Sequence, residues 1–102
     1  MIIDQTTRRM ATRLKSGINA ERVWLFGSRA RGTAGVHSDV DLLAVIPYST
    51  ATRYQRAVAA RRELSDFNVP MDIVVLTQDE WDKQMKAPSS LARTVAREGI
   101  VL

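Results

Sequence analysis

The sequence predicts an α+β domain in which a small mixed sheet of three to four strands packs against helices. Short apolar runs at 23–26, 40–46 and 70–76 are bounded by glycine, proline or polar turns, as strands are. The segments between and after them place apolar residues at helical spacing. A chain of 102 residues with 45% hydrophobic content suits a single domain, residues 1–102, around one core.

Taken in order, residues 4–17 read as a helix with Asp4 as N-cap and Gly17 as stop signal. Ile3, Met10, Leu14 and Ile18 mark its apolar face, while Arg8, Arg9 and Arg13 read as a solvated one. Val23 to Phe26 is a continuous apolar run ended by Gly27, the pattern of a strand buried on both sides. A polar loop follows, with three of the five glycines (Gly27, Gly32 and Gly35) inside it, so backbone can take positive φ and approach an anion closely. Val40 to Ile46 is the second strand, closed by Pro47. Residues 50–67 form an amphipathic pattern through Tyr54, Ala57, Val58, Leu64 and Phe67, capped by Ser49 or Thr50. Residues 70–76 give the third strand. Thr77-Gln-Asp-Glu80 fits a capping box, which predicts a helix over 78–85 with Trp81 and Met85 inward. Ser89 or Ser90 starts a last helix through Glu98, Gly99 closes it, and Ile100 to Leu102 opens one more strand.

Composition narrows the chemistry. No segment approaches the roughly 18 uninterrupted apolar residues of a membrane span, and the N-terminus lacks a signal-peptide layout. A soluble, cytoplasmic protein with no membrane association is expected. The absence of cysteine excludes disulfides, thiolate metal sites and a cysteine nucleophile. With His37 the only histidine, read as a loop residue, any metal must be held by oxygen, which points to magnesium or manganese. The net charge of +4 suits a polyanion or an acidic protein, but the basic residues are scattered and serve equally as solvated helix faces.

Three acids stand out because aspartate suits neither a half-buried pleat nor a packed core. Asp39 and Asp41 are two apart, so in a strand they leave the same face. Asp72 sits in the third strand. Singly, each has an ordinary reading: Asp39 caps a turn, Asp41 faces solvent, Asp72 marks an edge. Together, and next to the glycine loop, they suggest carboxylates sharing a divalent cation.

Gly27-Ser28, ten intervening residues, Asp39-Val40-Asp41 between apolar residues, and a later strand bearing Asp72 resemble the signature of the DNA polymerase β-like nucleotidyltransferases. The Gly-Ser-Arg-Ala-Arg-Gly run and the small size resemble the minimal nucleotidyltransferases, prokaryotic proteins often paired with a HEPN-domain protein. The resemblance covers nearly the whole chain. It implies a nucleotidyltransferase fold like the polymerase β palm. It also implies that Asp39, Asp41 and Asp72 ligate two Mg²⁺ (Mn²⁺ could substitute), with Asp72 nearest the acceptor hydroxyl and taking its proton. Two metals about 3.5–4 Å apart stabilise both attacking and leaving oxygens, which accounts for three carboxylates. Gly27 and Ser28 would hold the β and γ phosphates of ATP, and Arg29 and Arg31 would neutralise the leaving pyrophosphate.

The function so implied is transfer of AMP from ATP-Mg onto a hydroxyl, a tyrosine of a partner HEPN toxin, with the chain acting as antitoxin. Size agrees, because 102 residues leave little surface for an acceptor pocket of their own. One alternative is a non-catalytic antitoxin that neutralises by binding, using apolar residues such as Leu91 and Val95. Another is transfer to a small molecule, as in aminoglycoside nucleotidyltransferases, which carry an additional helical domain. Nucleic acid as direct acceptor meets the same objection.

Overall fold

A computed structural model describes residues 3–35 and 38–102. Its elements, in chain order, are α1 (Gln5–Gly17), β1 (Arg22–Phe26), α2 (Gly27–Arg31), β2 (Val40–Ile46), α3 (Arg53–Glu63), β3 (Met71–Thr77), α4 (Gln78–Met85), α5 (Leu91–Glu98) and β4 (Ile100–Val101). The strands form one mixed sheet in the order β3-β2-β1-β4. β1 runs antiparallel to both β2 and β4, and β2 runs parallel to β3 across the α3 connection. The expected α+β architecture is therefore present, with four strands. His37, read from sequence as a loop residue, lies outside the described residues.

Alternation along the strands divides the core in two. Val23, Leu25, Leu42, Ala44, Ile73 and Val75 face one way and pack on Met10 and Leu14 of α1, Ala60 of α3 and Leu64 just after it. Trp24, Phe26, Leu43, Val45, Val74 and Leu76 face the other way and pack on Trp81, Ala92 and Val95 of α4 and α5. On this second face the Trp24 and Trp81 rings stack at 5.6 Å between centroids. The sheet thus lies between two helical layers; β2 is buried on both sides, whereas β1, expected from its apolar run to be so too, buries Val23 and Leu25 and leaves Arg22, Trp24 and Phe26 partly exposed.

Caps decide where the helices begin. Asp4 accepts from the Thr7 N–H at 2.8 Å, as expected. The Thr77–Glu80 box closes in both directions, at 3.2 and 2.8 Å. α5 starts at Ser90 and ends at Gly99, whose N–H donates to the Val95 carbonyl. The third helix departs from its sequence reading. It starts after Thr52, whose side chain forms a capping box with Gln55, so neither Ser49 nor Thr50 caps it. The shift turns Tyr54 outward, 79% exposed, and buries Arg56 to 9% exposure instead. Arg56 is tolerated inside because it donates to the Ala51 and Val75 carbonyls and to both oxygens of Glu80.

Other expectations are corrected on packing grounds. Met85 is 38% exposed, since α4 ends there and its last turn runs off the sheet. Val95 is fully buried, so of the two apolar residues offered for partner binding only Leu91, 37% exposed, reaches the surface. The arginine face of α1 is not wholly solvated. Arg9 and Arg13 lie over the Phe67 ring at 5.5 and 5.4 Å, and Arg13 also donates to Asp66 and to the Glu63 carbonyl. Among the described residues no helix is long and apolar enough to cross a membrane.

Candidate functional site

One end of the sheet collects the unusual residues. β1 finishes there at Phe26, and β2 and β3 begin there, so the chain after β1 and the entries to β2 and β3 meet at one edge. The parallel register sets Asp41 directly beside Asp72, and the antiparallel register sets it opposite Phe26. Register partners leave the same face of a sheet, so the two carboxylates stand on the α4 and α5 side, one step beyond Leu43 and Val74. Asp39 lies one residue ahead of β2.

Asp41 senses the other two. Burial first, then the charges of Asp72 and Asp39, push the Asp41 carboxyl above its ordinary value, against smaller pulls from Arg31 and Arg29. A half-buried carboxylate held next to two like charges is an arrangement that folding alone does not favour. The donor set is all oxygen, which suits a hard divalent cation. Among the described residues, no group of three or more acidic, histidine or cysteine side chains is arranged so that it could hold a metal ion as it stands. What suits a cation at the Asp41–Asp72 pair, with Asp39 beside it, is the donor chemistry: carboxylate oxygens whose mutual repulsion a positive ion would relieve.

The cradle beside them is built by Gly27. Its φ of +73° favours glycine, and a Cβ there would run into the Asp41 carboxylate. The chain then makes one helical turn, α2, where the sequence suggests only a loop. Gly32 ends it in the left-handed region at φ +76° and donates to the Ser28 carbonyl. The turn forms because Ala30 finds a buried seat in the core beneath it. Backbone N–H groups in a first helical turn have no intrahelical acceptor, and Gly27 and Ser28 are the residues that open α2 beside the carboxylates.

The two arginines separate. Arg31 is half-exposed and sits 3.9 Å from Glu98 of α5, with its charge acting on Asp41. Arg29 instead turns to the backbone: Nη2 donates to the Ser38 carbonyl at 2.7 Å, and Nε reaches the Ser38 and Asp39 carbonyls at 3.2 Å each. Sequence reasoning missed this contact, since carbonyl partners leave no trace in residue type. Two clefts among the described residues lie elsewhere. One of about 470 Å³ is lined by Met85, Arg93, Ala96 and Arg97. The other, of about 270 Å³, lies at the opposite end of the sheet by Ile46, Tyr48 and Val75. Neither is lined by any of the three acids, which charge and strand register bring together.

Comparison with known proteins points the same way. A family model described as a nucleotidyltransferase domain matches residues 5–101. No curated protein matches significantly. Among solved structures, a proposed nucleotidyltransferase from Sulfolobus solfataricus superposes with a TM-score of 0.58 at 24% identity, covering 95% of this chain and 82% of that one. A chain from a toxin-antitoxin structure with AMP-PNP superposes with a TM-score of 0.59 at 20% identity, covering 93% and 70%. At these identities the likeness speaks for the fold.

Proposed function

Because this chain belongs to the nucleotidyltransferase domain family, we propose that it transfers AMP from ATP onto a hydroxyl of a partner protein, a tyrosine of a HEPN-domain toxin, and so acts as an antitoxin in the cytoplasm. The observation that carries the reading is the Asp41–Asp72 register pair, with the Asp41 carboxyl raised by burial and by its acidic neighbours. The toxin-antitoxin neighbour with its ATP analogue supports both the nucleotide and the kind of partner.

Each residue has a task in this reading. Asp39, Asp41 and Asp72 would hold two Mg²⁺, which supply charge neutralisation on the triphosphate and activation of the attacking oxygen. Asp72 takes the proton of the acceptor hydroxyl. The hydroxyl oxygen bonds to the α-phosphorus while the bond from that phosphorus to the bridging oxygen breaks, and pyrophosphate leaves. The Gly27 and Ser28 N–H groups grip the β and γ phosphates, and the half-exposed Arg31 offsets the charge that accumulates on the leaving group.

The test uses the protein encoded beside this one, if it carries an Arg, four residues, His, one residue, Tyr pattern. Incubated with this chain, ATP and magnesium, it should gain the mass of one or more AMP units on the tyrosine. A partner that forms the complex but keeps its mass would leave neutralisation by binding alone, with Leu91 as an exposed apolar contact.

A further inference from the structure

The three acids are not held in place by the same means. Asp41 and Asp72 lie within the β2–β3 ladder and inherit their positions from its register. Asp39 does not. The ladder begins at Val40, paired with Met71, and the first hydrogen bond on that side runs from the Val40 N–H to the Pro70 carbonyl at 2.9 Å. Asp39 therefore stands on irregular backbone, where neighbouring strands fix neither its N–H nor its carbonyl.

Arg29 supplies what the sheet does not. Its guanidinium spans two consecutive carbonyls, those of Ser38 and Asp39, through Nε and Nη2. A planar fork with fixed donors can hold two acceptors at once, whereas an ammonium is a single point that cannot reproduce the span. Arg29 also follows Ser28 directly on α2, so the clamp links the phosphate cradle to the entry of the acidic strand. With Nε and Nη2 both engaged by backbone carbonyls, the guanidinium is anchored to the Ser38–Asp39 peptide.

We propose that Arg29 is a positioning residue, which sets the place of Asp39 beside Asp41 by clamping the Ser38 and Asp39 carbonyls, and that it is not a phosphate ligand. The inference rests on the reading of Asp39, Asp41 and Asp72 as the metal-holding group. It divides the Gly-Ser-Arg-Ala-Arg-Gly run by role: Gly27 and Ser28 serve the phosphates, Arg31 the leaving group, and Arg29 the carboxylate.

Binding measurements without turnover separate the possibilities. Manganese affinity is read from free Mn²⁺ by electron paramagnetic resonance, and metal-free ATP binding in EDTA from ³¹P line widths, for wild type, Arg29→Lys and Arg29→Gln. Both variants should lose about tenfold or more in Mn²⁺ affinity, as losses of groups that orient metal ligands do. Both should keep metal-free ATP binding within about twofold, since the phosphate-facing N–H groups are untouched. Wild-type Mn²⁺ affinity in Arg29→Lys, or a tenfold loss of metal-free ATP binding, overturns the assignment. If a variant fails to fold, wild type decides. The Arg29 Nε–H resonance should exchange slowly with water and stay unmoved when pyrophosphate is added, and a large shift on addition overturns the proposal. Absence of Mn²⁺ binding by wild type defeats the metal-site reading itself and takes this inference with it, an outcome distinct from either of the others.

Discussion

Asp41 and Glu80 are both partly buried acids beside the sheet, yet their surroundings differ in kind. Glu80 is fully answered: it accepts from Arg56 at 2.6 and 3.1 Å and from the Thr77 N–H at 2.8 Å. Arg56 first, then the Thr77 N–H, outweigh burial and bring its carboxyl down to about 2. Asp41 has acids for neighbours and moves the other way. The contrast teaches how to tell a structural carboxylate from one kept for chemistry. Where folding alone is served, partners close around the charge. Where the charge is left to press on like charges, something outside the chain is expected to answer it.

The largest effect should come from breaking the unanswered side. Asp41→Ala or Asp39→Ala is expected to lower AMP transfer by about 10³-fold or more, because a metal ligand contributes several kcal/mol in the transition state. Melting temperature should hold or rise, since removing a mutually repelling acid relieves the fold. Full transfer by either variant, measured with radiolabelled ATP, would end the two-metal reading.

On the answered side the expected loss is in stability. Glu80→Gln leaves the buried Arg56 charge without its partner and should cost about 2–3 kcal/mol, a magnitude set by the shift of Glu80 and its partial exposure. Urea unfolding reads it. The wild-type protein should show the matching pH dependence. A carboxylate whose folded pKa is about 2, against 4.5 unfolded, contributes stability that is complete above about pH 5 and is lost as pH falls toward 2. Transfer per folded molecule should be unchanged, because Glu80 lies at the far end of β3 from Asp72.

Gly27→Ala tests the point where the cradle and the acid touch. A left-handed φ and the Asp41 carboxylate in the path of a Cβ together predict about 1–3 kcal/mol of lost stability. Transfer should fall as well, because the backbone N–H groups and Asp41 would move together. A variant that is destabilised yet fully active would show that the cradle is not needed for the reaction.

The same contrast explains what could be read in advance. The apolar runs and the Thr77–Glu80 box are local patterns, so β1, β2, β3 and α4 were legible, and so were Asp39, Asp41 and Asp72 as acids out of place. Arg56 was not. Its burial depends on Glu80, 24 positions away, and on carbonyls of Ala51 and Val75. Helical spacing alone turned Tyr54 inward in its stead. Arg29 escaped for a related reason, since its partners are backbone oxygens that every residue carries. α2 was half visible: the glycines signalled a turn, but the seat for Ala30 exists only once the core is assembled.

The smallest effect is the most direct test of the comparison, because the sign should reverse between the two acids. In metal-free buffer, Asp41→Asn should stabilise the fold slightly at neutral pH, by less than about 1 kcal/mol at a partly solvated carboxyl, and raise the melting temperature accordingly. A group whose folded pKa lies above its unfolded value binds its proton more readily when folded, so ionised Asp41 weakens the fold once pH rises past the ordinary aspartate range. In acid both side chains are neutral and the advantage of asparagine should vanish. Glu80→Gln follows the opposite course, its deficit largest at neutral pH and shrinking in acid. Added Mn²⁺ should then stabilise the wild type and not Asp41→Asn, reversing their order at neutral pH. If asparagine proves destabilising in EDTA, Asp41 has a partner in the folded chain after all and belongs with Glu80 among the structural carboxylates.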